Sequence, residues 1–277
     1  LRNCIVRRRQ YSARSSPVIN GSLNWTLAPL VWLLLFGSML LAMEVGRRLR
    51  VKHRELADGE LASFGAVQAA VFGLMGLIIA FTFSGAATRF DHRRDLVVDE
   101  ANHIGTAYLR IALLPEAAQE PLRNRFRQYV DTRVATYRAV PDARRINELL
   151  QQTAEQQVEI WSMAVAAINV ATNPMLPAVL VPSLNNMFDI VTTRTAATQV
   201  HPPAVVWIML GGLALVCSVL VGYDLGSAPR HWLHPLTFAF LFSLTLYVIS
   251  DMEYPRLGFI RVTEMDRVLQ SVRDSMQ

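Results

Sequence analysis

From Leu61 to Thr88 the chain carries no charged residue. At a rise of 1.5 Å per residue, about 28 helical positions exceed what a bilayer core of about 30 Å requires, so this stretch reads as a membrane-crossing helix. Nothing stops it at the membrane edge. No Pro and no turn cluster separates it from Arg89-Phe90-Asp91-His92-Arg93-Arg94-Asp95, or from the apolar positions Leu96, Val97, Ile104 and Leu109 that follow. One rod is therefore expected to leave the bilayer and continue into water, and every other element has to be arranged around it.

The membrane half of the rod has a patterned surface. Ala62, Gly65, Ala66, Ala69, Gly73, Gly76, Ala80, Ser84 and Ala87 share one face at 100° per residue, a small-residue stripe of the kind that lets another helix backbone approach closely. Leu77 and Phe81 border the stripe, four residues apart. Phe64, Val67, Leu74 and Ile78 lie further round and suit lipid or looser packing. This pattern fits an ordinary buried transmembrane helix and a pore-lining helix equally well.

The composition agrees with a membrane assignment: 277 residues, 52% hydrophobic, with mean hydropathy +0.26, give several spans plus one modest soluble unit. The net charge of +5 is nearly all arginine, Lys52 being the only lysine. In a membrane protein such a surplus sets topology, and no nucleic-acid partner is expected. Cys4 and Cys217 build neither a disulfide framework nor a metal cluster. Residues 1–24, with Arg7-Arg8-Arg9, read as a flexible basic tail.

Residues 25–88 read as a first hairpin. Its opening span runs from about Leu27 to Val45, and a basic connector (Arg47, Arg48, Arg50, Lys52, Arg54) leads to the rod. Residues 89–200 read as a helical soluble domain, probed helix by helix through its breakers. Leu114-Pro115 ends the rod. Leu122, Phe126, Tyr129, Val130, Val134 and Tyr137 then mark an amphipathic helix, with Arg123, Arg125, Arg127 and Arg133 between them. Asp142 is positioned to cap a third helix carrying Ile146, Leu149, Leu150, Val158, Ile160, Trp161 and Val165, and Ser183 a fourth carrying Leu184, Met187, Phe188 and Val191. Residues 201–250 form a second hairpin opened by His201-Pro202-Pro203, and residues 251–277 a helical tail. The fold class is thus all-α: four transmembrane helices with a helical soluble domain between spans 2 and 3.

Specific segments carry a resemblance. Ala80-Phe-Thr-Phe-Ser-Gly-Ala-Ala, Glu100-Ala-Asn-His-Ile-Gly-Thr-Ala-Tyr-Leu-Arg110 and Glu253-Tyr-Pro-Arg-Leu-Gly resemble the bacterial bestrophin-like domain family. The run from Phe81 through Arg89-Phe90 and Arg94 to Asn102 is similar, more distantly, to the segment with which bestrophin anion channels leave the membrane. The resemblance implies a homopentamer whose second spans line a central pore, with an apolar neck that maps onto Gly73, Leu77 and Phe81. Gly73 departs from the expected large apolar residue. Arg89, Arg93, Arg94 and Asn102 would line a vestibule or serve structural ion pairs, and the acidic run behind calcium gating is missing after Pro255. Partners implied are further copies of the chain, lipid and small inorganic anions, with the soluble domain and both termini in the cytoplasm of a bacterial inner membrane.

Physically, an apolar neck gates by dewetting, and charge at its mouths sets the sign of the permeant ion. Arg89, Arg93 and Arg94 would favour anions unless Asp91, Asp95 and Asp99 pair with them along the helix at three- and four-residue spacing. An enzyme reading rests on Glu100-Ala-Asn-His103, an E-x-x-H of the kind found in di-iron bundles. A second such motif is required, and the sequence has none; it also lacks a Ser/His/Asp grouping and a phosphate loop. No catalytic residue, metal site or cofactor is expected. A non-conducting membrane scaffold or sensor of the same fold is the alternative to a channel.

Overall fold

A computed structural model describes residues 28–52, 58–226, 232–254 and 263–276. The basic tail at 1–24, Arg54, Arg230 and the turn at Pro255 lie outside the described residues. Those described form α1 (Ala28–Lys52), α2 (Asp58–Arg110), α3 (Glu116–Arg138), α4 (Ala143–Val170), α5 (Leu176–Ala197), α6 (Ala204–Leu225), α7 (Leu233–Glu253) and α8 (Thr263–Asp274). Among them there is no strand. Four helices (α1, α2, α6 and α7) are long and apolar enough to cross a membrane.

The rod is a single helix of 53 residues, about 80 Å long and more than twice the thickness of a bilayer core. It ends in a 3-10 turn at Ile111–Leu113, and Leu114 is extended ahead of Pro115, since a residue before proline is driven out of the helical region. The chain divides into two units with the boundary inside the rod, between Asp91 and His92.

In the membrane unit, α1 continues helically through Arg47, Arg48, Arg50 and Lys52, where a connector was expected. Glu44 accounts for this: its carboxylate accepts from Arg47 Nε at 2.9 Å and Arg48 Nε at 3.0 Å, pairs one turn apart that favour the helix. Consecutive spans were expected to pair as hairpins, but the most extensive packing joins α1 to α6, with α1 also against α7. Glycine decides the partner. A Cβ on Gly46 would collide with the Val219 carbonyl, one on Gly222 with the Met43 carbonyl, and one on Gly226 would lie 2.6 Å from Arg50 Cβ. These contacts advance together along both helices, so α1 and α6 run parallel with their backbones touching. The rod adds Met75 and Ala86, with Phe72 and Ile79, to the apolar core these spans share. Hydroxyls inside the spans bond back to carbonyls of the previous turn, as Thr82 does to Ile78 at 2.7 Å and Ser218 to Ala214 at 2.7 Å, which satisfies these donors within their own helix.

The helical unit closes on a core drawn from the distal rod, α3, α4, α5 and α8. Ile104, Ile111, Leu122, Phe126, Tyr129, Ile160, Leu176, Leu180, Met187 and Leu269 are all essentially inaccessible. Asp142 caps α4 as expected, its side chain accepting from the Arg145 amide at 3.0 Å. Ser183 does not cap α5. That helix starts at Leu176, with Pro177 in its first turn, where a missing N–H costs nothing, and Ser183 donates to the Leu180 carbonyl at 2.7 Å from within the helix. Val158 is 60% exposed rather than core. The inward place on that part of α4 belongs to Gln156, whose amide donates to Thr132 Oγ1 at 3.0 Å.

Candidate functional site

Two sides of the rod's membrane half differ. Met75, Thr82 and Ala86 are buried against the other spans. Leu77 is 52% and Phe81 70% exposed, and a Cβ on Gly65, Gly73 or Gly76 would meet nothing within 4 Å. Gly73, Leu77 and Phe81 therefore stand one turn apart on a face that no other described part of the protomer covers, and Ala66, Ala69, Ala80 and Ser84 are exposed on the same side. Among the described residues of the chain, the small-residue stripe has no tightly packed partner. Val67 and Leu74 are exposed as expected, but Phe64 and Ile78 are not lipid-facing. Ile78 packs on the shared core. Phe64 packs on Tyr223 with ring centroids 4.6 Å apart and planes tilted by 42°, and the Arg50 guanidinium sits 5.2 Å from the centroid of the Tyr223 ring. One turn on, Gln68 donates to Asp224 at 2.7 Å.

At the end of the apolar stretch, the arginines reach away from their own helix. Arg89 packs against Gly85 and donates from Nε to Glu253 Oε1 at 2.6 Å. Arg93 donates to the Ala197 carbonyl at 3.2 Å and the Val200 carbonyl at 2.9 Å, satisfying acceptors that the C-terminus of α5 leaves open. Arg94 and Asn102 are exposed. Arg89 and Arg93 are thus each tied to groups outside their own helix. Their partners are far along the chain, which sequence spacing does not reveal.

A second buried carboxylate was not anticipated. Glu100 is inaccessible; its Oε1 accepts from Arg133 Nε at 2.6 Å, its Oε2 from the Tyr137 hydroxyl at 2.8 Å, and Arg194 Nη1 also binds Oε2. The Tyr137 ring lies under both cations, 4.9 Å from the Arg133 and 3.9 Å from the Arg194 guanidinium carbon. Burial alone would raise the Glu100 carboxyl; Arg133 and Arg194 more than offset that and hold it at about 2. Burial would likewise lower Arg133, and Glu100 raises it on balance. Tyr129 beside them is pushed up to about 12, chiefly by burial. The glutamate of the E-x-x-H motif is thus committed to two arginines. Among the described residues, no group of three or more His, Cys, Asp or Glu is placed to hold a metal ion.

Glu100 and Glu253, each from a segment that carried the resemblance, therefore organise one buried ion cluster in each unit. A family model for the bestrophin-like domain matches residues 31–266, most of the chain. No curated protein and no solved structure matches.

Proposed function

The chain belongs to the bestrophin-like domain family, and from that membership we propose that it works as a passive, homopentameric ion channel with a preference for small inorganic anions. The observation that carries this reading is the uncovered face of the rod, where Leu77 and Phe81 stand exposed beside a row of small residues while another side of the same helix is packed. A ring of copies around an axis would cover the small-residue stripe and turn Phe81 inward, since rotational symmetry closes such contacts without leaving an open end. Five Phe81 rings in one girdle, with Leu77 one turn away, would make a neck that water enters reluctantly. Gly73 leaves one end of that neck wider. In this reading the protein sits in a bacterial inner membrane, with its termini and helical unit in the cytoplasm.

One observation favours the alternative, a non-conducting scaffold or sensor. Arg89 and Arg93 are already engaged by Glu253 and by two carbonyls, which weakens the positive field expected at the exit. Reconstitution into liposomes with a chloride or iodide flux assay separates the two. Phe81→Ala is expected to raise flux severalfold without loss of thermal stability, because its side chain fills no cavity within the protomer. The matched control is Leu41→Ala on α1, also 70% exposed, which should leave flux unchanged. Well-assembled Phe81→Ala and Leu77→Ala proteins with unaltered flux would refute the channel reading, and a stable monomer or dimer by native mass measurement would remove the pentamer.

A further inference from the structure

The Glu253 cluster holds three membrane-unit segments at one point. Glu253 closes the last turn of α7 and has no exposed side-chain surface. Arg89, from the rod eight residues beyond Phe81, occupies its Oε1. His201, just ahead of α6, brings Nδ1 to 3.4 Å from Oε2, and its ring stacks on Tyr254 with centroids 4.5 Å apart. The His201 side chain keeps 28% of its surface exposed, while that of its partner Glu253 has none.

We propose that His201, Glu253 and Arg89 form a proton-sensitive clasp that ties the rod to the ends of the third and fourth spans. A neutral imidazole with its proton on Nδ1 can donate to the carboxylate. A protonated one adds a second positive charge beside a buried anion, where charge-assisted bonds are roughly twice as strong as neutral ones. That second ion pair exists only while the ring is charged. Its contribution is present at low pH and is lost when rising pH removes the ring's second proton. Stacking on Tyr254 keeps the ring in place in either state, so titration changes the strength of the clasp more than its geometry. Other charged groups lie near it along the chain: Arg93, four residues after Arg89 on the rod, and Asp251, buried two residues before Glu253. Arg256 and Arg261 follow in sequence outside the described residues. All four are unchanged in the variants below, so a difference between wild type and a His201 variant reports the ring alone.

The clasp stands as a property of the membrane unit. Its role in regulating conduction rests on the channel reading, and two readouts keep them apart. The first is thermal unfolding of the full-length protein in detergent at about pH 5.5 and about pH 8, on either side of the histidine range. Wild type should lose several degrees of midpoint between the two relative to His201→Gln, while His92→Gln, on the exposed rod surface, should follow wild type. His201→Lys keeps a cation at both pH values and should give a flat profile, which preserves the comparison if His201→Gln fails to accumulate. Identical pH profiles for wild type and both His201 variants would overturn the clasp. The second readout is flux in liposomes over the same pH pair. A dependence on pH that disappears in His201→Gln supports regulation through the clasp, and one that persists overturns it. His201-dependent stability with no flux at either pH supports the clasp and refutes the channel reading.

Discussion

The helical unit and the membrane unit handle their surfaces in opposite ways. The first builds both its apolar core and the charged cluster at its centre from one copy of the chain. The second packs α1, α6 and α7 around one side of the rod and leaves the other side bare, with Phe81 and the glycines facing nothing. Both are rich in apolar residues, so the contrast does not come from composition. It comes from side-chain size on one helix. Small residues release little dispersion energy to lipid but allow a close backbone approach, so the bare face is suited to another helix, and among the described residues no helix of its own chain takes the place.

The strongest way to break this contrast is to damage the closed unit at its centre. Glu100→Gln leaves Arg133 and Arg194 buried without their anion, and removing one partner of a buried ion cluster costs about 3–5 kcal/mol. Thermal unfolding should register this as a large drop in midpoint or loss of the folded protein; a variant as stable as wild type would mean that the cluster is not what completes the unit. pH gives the same test without mutation. The Glu100 carboxyl sits at about 2 in the folded protein against an ordinary 4.5. A depressed carboxyl contributes stability fully above its ordinary value, and that contribution is lost as pH falls from about 4.5 toward 2. Acid destabilisation in that window should be present in wild type and reduced in Glu100→Gln.

Much of this architecture is legible in the sequence, because its causes are local. An uncharged run of sufficient length dictates the rod, prolines at 115 and 141 punctuate the helices, and Asp142 caps because it precedes an apolar-periodic segment. The ion clusters are harder to see. Arg133 resembles one more cation of a solvated arginine face, although it falls seven residues after Phe126 and four after Tyr129, squarely on the buried side. Glu100 likewise follows Val97 by three and precedes Ile104 by four. A charged residue at an apolar register position was the available signal. What no local pattern supplies is the partner: Glu100 meets Arg194, and Arg89 meets Glu253, across 94 and 164 residues. The choice of α6 rather than the rod as the companion of α1 rests on Gly46 meeting Val219 and Gly222 meeting Met43, and nothing local sets these two apart from Gly37, Gly211 and Gly212 in the same spans, which meet nothing within 4 Å.

That glycine contact gives a test of intermediate size. Gly222→Ala and Gly46→Ala would each drive a methyl group into the opposing backbone. Overpacking of this kind costs typically about 1–3 kcal/mol, and the backbone cannot rotate out of the way as a side chain can. Both should lower the unfolding midpoint of the protein in detergent, and the double variant should lose less than the sum, because either methyl alone already separates the helices. Unchanged stability in both would show that α1 and α6 are not in backbone contact.

The smallest expected effect on the protomer is the one that most sharpens the contrast. Gly73→Ala places the same methyl group on the same kind of helix, but at a position where nothing of its own chain lies within 4 Å. Within the protomer it meets no resistance, and replacing a helical glycine by alanine favours the helix by up to about 1 kcal/mol. Unfolding of the isolated protomer should therefore be unaffected or slightly improved, in direct contrast with Gly222→Ala. If the bare side of the rod faces a second copy, the methyl is felt there instead, as a shift in native mass or in the detergent concentration at which the assembly dissociates. If that side faces only lipid, Gly73→Ala should be silent by every measure, and the uncovered face would then be a lipid surface rather than an interface awaiting its partner.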